Sequence, residues 1–92
     1  MRRSIDDQQI HREDLPSGLD DAMPVSWAVA ASDDYDDAIP RIILTIEDIG
    51  RPGTGLIAHL SADGARRLRQ ALKDALREIG ESPDGRDKEF ES

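Results

Sequence analysis

Apolar residues recur along this chain with two different periods, and the change from one to the other defines the expected architecture. After Pro24, Val25, Trp27, Val29 and Ala31 alternate with Ser26, Ala28 and Ala30, which is strand spacing with Trp27 on the buried side. The run RIILTIED over Arg41–Asp48 repeats the alternation, with Ile42, Leu44 and Ile46 facing one way and Arg41, Ile43, Thr45 and Glu47 the other. Residues 49–55, IGRPGTG, place three glycines and a proline between that run and the next, a strong turn signal. LIAHL, Leu56–Leu60, then reads as a third strand.

At residue 61 the period becomes helical. Ala65, Leu68, Leu72, Ala75, Leu76 and Ile79 fall on one face of a helix over residues 61–80. Ser61 is a natural N-cap, because its hydroxyl accepts a hydrogen bond from an orphan amide of the first turn. Asp63 meets the positive end of the helix dipole, and Gly80 stands where a glycine in the left-handed conformation closes the last turn. The pattern predicts an α+β fold, a three-stranded antiparallel meander with one C-terminal helix packed across one face. On that reading Leu72→Asp is the most disruptive single change. The domain is expected over residues 24–80, with residues 1–23 and 81–92 as disordered acidic tails, since Ile5, Ile10 and Leu15 are too sparse to define a face.

Charge sharpens this picture. The 92 residues carry a net charge of −8, with 20 acidic and 12 Lys or Arg side chains. Each tail contributes −3 and residues 24–80 only −2, so acidity is concentrated outside the expected domain. Such a chain is repelled by a nucleic-acid backbone, although it suits a basic protein surface. Aromatic residues make up 3% of the sequence and cysteine is absent, so the core is aliphatic and small, with neither a disulfide scaffold nor a thiol nucleophile. No apolar run reaches the length of a membrane span, and Met1-Arg-Arg leads into Ser-Ile-Asp-Asp rather than a signal-peptide core. The expectation is a cytoplasmic protein.

The candidate chemistry is sparse. Asp33, Asp34, Asp36 and Asp37 offer oxygen ligands, but without the glycine turn and distal glutamate of a calcium loop. Gly50, Gly53 and Gly55 lack the Gly-Lys-Ser/Thr ending of a phosphate loop and precede a strand rather than a helix. His59 has no second histidine or cysteine beside it and reads as a surface strand residue. No catalytic residue, metal site or cofactor is expected. Phe90, on the acidic C-terminal stretch, could anchor a short linear motif. Arg66, Arg69, Lys73 and Arg77 form a basic stripe opposite the leucine face of the helix. Together with Ile43 and Thr45, on the sheet face left open, they are the candidate partner-binding residues.

The block RIILTIEDIG followed by IAHLSADGARRLRQALKDALRE resembles small uncharacterised proteins of high-GC actinomycete bacteria. Their C-terminal half is a strand pair followed by a helix of the form L-[ST]-x-[DE]-x-A-x-x-L-x-x-A-L. Here the pattern falls on Leu60, Ser61, Asp63, Ala65, Leu68, Ala71 and Leu72. The resemblance spans about half the chain, rests on capping and packing residues, and implies a fold without an activity. A sheet with two open edges and a half-apolar open face favours a homodimer, by edge pairing or by face stacking. The functional expectation is a noncatalytic interaction or adaptor protein that binds a protein partner and self-associates. The alternative is an acidic nucleic-acid mimic that inhibits a basic enzyme surface.

Overall fold

The computed structural model describes residues 1–18, 24–49, 51 and 53–85. The chain divides into two units, Met1–Ala62 and Asp63–Ser92. The first is an antiparallel sheet of four strands in sequential order: β1 (Arg2–Ile10), β2 (Val25–Ser32), β3 (Arg41–Asp48) and β4 (Leu56–Leu60). Among its described residues the second contains one helix, α1 (Ala62–Glu78), whose first residue closes the first unit. The α+β class and the meander stand; the strand count is four, not three.

The added strand corrects the expectation of a disordered tail over residues 1–23, because Arg2–Ile10 pairs with β2 along its length. Its alternation is invisible in the sequence for two reasons. All but one of its residues are exposed, so backbone pairing rather than side-chain burial holds it. A bulge between Ser4 and Asp6 sets Ile5 outside the ladder and breaks the period of two. A turn of 3₁₀ helix at Arg12–Asp14 follows, fixed by the His11 N–H donating to the Asp14 carboxylate at 3.2 Å.

The register assigns each paired strand residue to a face. One face carries the cross-strand rows Gln8–Trp27–Ile46–Leu56, Asp6–Val29–Leu44–Ala58 and Arg3–Ala31–Ile42–Leu60. The other carries Ser4–Ala30–Ile43–His59 and Asp7–Ala28–Thr45–Ile57. The tightest burial lies on this second face: Ala30 is 4%, Ile43 5% and Ser32 7% exposed. On the Trp27 face Ile46 is 44% and Leu56 81% exposed, and Trp27 is half-buried, its indole N–H donating to Gln8 Oε1 at 3.0 Å. The expected inside and outside of the sheet are therefore exchanged around Ile43.

The helix ends as its sequence predicts. Gly80 has φ +83°, its N–H donates to the Arg77 carbonyl at 3.0 Å, and the Glu81 N–H reaches the Leu76 carbonyl at 2.8 Å. These two bonds are the paired closure of a Schellman motif. No residue of α1 is buried, and Leu68, Leu72 and Ile79 are exposed. Leu72 is 59% exposed, whereas Ile43 is 5% exposed.

Candidate functional site

The connection between β2 and β3, residues 33–40, sends a side chain to β4 on the face of the sheet that carries Ile43. The phenol oxygen of Tyr35 lies 2.8 Å from His59 Nδ1, and the two rings meet edge to face with centroids 5.6 Å apart. His59 stands on β4 opposite Ile43. A side chain rooted after β2 reaches it only by crossing β3 on that face. With His59 in its Nε2–H tautomer, the Tyr35 hydroxyl donates and Nδ1 accepts. The Arg41 guanidinium sits 4.7 Å above the centre of the Tyr35 ring, within cation–π range. Removal of the hydroxyl by Tyr35→Phe is expected to lower stability by about 0.5–1 kcal/mol and to shift the His59 ring resonances. A thermal melt and an imidazole NMR spectrum check both.

Asp37 fixes Arg41 from below. Its carboxylate accepts from Arg41 Nη1 at 3.0 Å and Nη2 at 2.8 Å, and also from the Ile39 N–H at 3.0 Å. The turn places Ala38 at φ 58°, an uncommon conformation for a residue with a Cβ. The hydrogen bonds from Arg41, then that from Ile39, hold the Asp37 carboxyl down at about 2. Because the folded value is depressed, the pairing contributes fully above the ordinary carboxylate range and is lost as pH falls through about 2. A carboxyl NMR titration is expected to place the Asp37 midpoint there. Asp33 and Asp34 lie on the amino group of Met1, and the hydrogen bond from that group lowers the Asp33 carboxyl.

Three of the four carboxylates of the acidic run, Asp33, Asp34 and Asp37, are thus paired within the chain. Among the described residues no group of three or more His, Cys, Asp or Glu side chains could hold a metal ion. Gly53 and Gly55 belong to the β3–β4 turn, where the Gly53 N–H donates to Glu47 Oε2 at 2.9 Å and Thr54 Oγ1 to the Arg51 carbonyl at 2.6 Å. Gly50 and Phe90 lie outside the described residues. No described helix is long and apolar enough to cross a membrane.

The candidate partner-binding residues separate. Ile43, at 5% exposure, is core and presents no surface; Thr45 on the same face is half-buried. On α1, Arg66 pairs with Asp63 at 2.5 Å and Arg77 with Asp74 at 3.4 Å, so half the basic stripe is balanced within the helix. Arg69 is exposed and Lys73 half-buried. Sequence reasoning overlooked Tyr35 as a structural anchor. The available signal was a lone tyrosine in an acidic connection, with a histidine on the strand face it must cross.

The surface that remains is the Trp27 face and the β4 edge. Leu56, Ile57, Ala58 and His59 are exposed and Leu60 half-buried, and β4 is an outer strand of the sheet. The opposite outer strand, β1, carries Arg2, Arg3, Asp6 and Asp7 as well as its bulge. No family model, curated protein or solved structure matches this chain.

Proposed function

We propose that this is a noncatalytic protein-interaction module that self-associates through its sheet. The observation that carries the reading is the exposure of large aliphatic side chains on the Trp27 face, with Leu56 at 81% and Ile46 at 44%. This apolar strip runs out to the outer strand β4 at Leu56, and each Å² of it that a second copy removes from water returns roughly 25 cal/mol. The basic stripe of α1 offers a second surface, suited to an acidic segment of a protein partner. The second reading is the nucleic-acid mimic, whose acidic groups would come from residues 1–23 and 81–92, since Asp33, Asp34 and Asp37 are held on positive groups of this chain.

Sedimentation equilibrium across a concentration series, at low and high salt, tests the reading. Two copies of net charge −8 repel each other, and salt screens that repulsion while leaving apolar contact intact. Self-association is therefore expected to strengthen with added salt. A monomer at every concentration and salt level would contradict the proposal, and binding of a basic enzyme that disappears with salt would favour the mimic.

A further inference from the structure

We infer that the second copy docks on the outer edge of β4, strand against antiparallel strand, with Ala58 on the two-fold axis. This rests on the self-association proposed above and names its surface.

The two edges of the sheet differ in the properties that govern edge pairing. Natural edges are kept from pairing by charged side chains, bulges and proline. The edge formed by β1 has charges and a bulge; β4, LIAHL, has no Asp, Glu, Lys, Arg or Pro. In a chain of net charge −8, an approach that brings neutral strands together meets the least repulsion at the contact.

The strand is also complementary to itself. Reversed about Ala58, Leu56 falls opposite Leu60 of the second copy, Ile57 opposite His59, and Ala58 opposite Ala58, with leucine or alanine on one face throughout. This is the self-matching that a two-fold interface requires. The Trp27 face then continues across the axis, because the Leu56, Ala58 and Leu60 rows lie on it. Directly opposed residues in such a pair bring their Cβ atoms to about 4.5–5.5 Å, close enough for a side chain at position 58 to meet its own copy. A five-residue edge buries less than the roughly 800 Å² per partner of a standard interface, so the dimer is weak and is sought at high protein concentration.

The test uses the full chain carrying Ala58→Glu or Ala58→Lys, alone and mixed. Ala58 is exposed, and circular dichroism confirms folding of each variant. Alone, each places like charges across the axis and weakens self-association at least about tenfold; mixed in equal amounts, the two form a one-to-one heterodimer. Variants that dimerise as well as the parent chain would overturn the edge assignment while leaving self-association standing. A parent chain that never dimerises would remove the reading beneath it. Should either charged variant unfold, the near-isosteric Ala58→Cys decides. The chain has no other cysteine, so mild oxidation is expected to give a disulfide-linked dimer faster than for a Ser4→Cys control on β1. Equal rates would overturn the assignment.

Discussion

Ile43→Ala is expected to destabilise the sheet by about 3 kcal/mol, lowering the melting temperature by roughly 10–25 °C for a domain of this size. Ile43 and Ala30 are the buried hydrophobic residues among those described, and no described side chain falls below 2% exposure. A core this thin has little to redistribute. Truncation at a position only 5% exposed adds the cost of the space left behind to the lost transfer free energy. Ile46→Ala provides the comparison, since Ile46 is 44% exposed on the opposite face and its truncation should cost less than about 1 kcal/mol. Thermal melts of the two variants side by side measure the difference between the faces.

Gly55→Ala is expected to cost about 2 kcal/mol or more, read as a melting temperature lowered by roughly 10 °C. A Cβ at this position would lie 2.2 Å from the Ile46 carbonyl oxygen, 2.3 Å from Glu47 Cγ and 2.9 Å from Glu47 Cα. The Glu47 side chain can swing away, but the Ile46 carbonyl and Glu47 Cα are backbone within β3. Relief therefore requires the β3–β4 hairpin to open at its turn, loosening the Ile46–Leu56 pair that begins the ladder. Gly53 makes the matching control. It has φ +87° with nothing within 4 Å of an added Cβ, so Gly53→Ala carries backbone strain of about 1 kcal/mol without a clash.

Much of this fold is legible in the sequence, and the exceptions share a cause. Strands β2, β3 and β4 announce themselves because each has apolar residues at every second position over five to eight residues. The helix is legible because Ser61, Asp63 and Gly80 mark its ends. What periodicity cannot show is structure held by backbone or by a single side chain. The first strand is polar, edge-placed and interrupted at Ile5, so its pairing with β2 leaves no apolar pattern. The contact of Tyr35 with His59 spans 24 positions of sequence and has no local signature. Alternation identifies two faces of a strand, and only the cover decides which is inside. The candidate surface inherits the same ambiguity: Ile43 reads as open when β3 is taken alone and is 5% exposed in the folded sheet.

The measurement that tests the account most directly is amide hydrogen exchange of the full chain, followed residue by residue at low and high protein concentration. Exchange reports local opening of each strand, and pairing between copies protects only the strand that gains a partner. Protection within Leu56–Leu60 should rise with concentration while that of Arg2–Ile10 stays constant. Protection that rises along Arg2–Ile10 instead, or that is independent of concentration everywhere, would contradict self-association through β4.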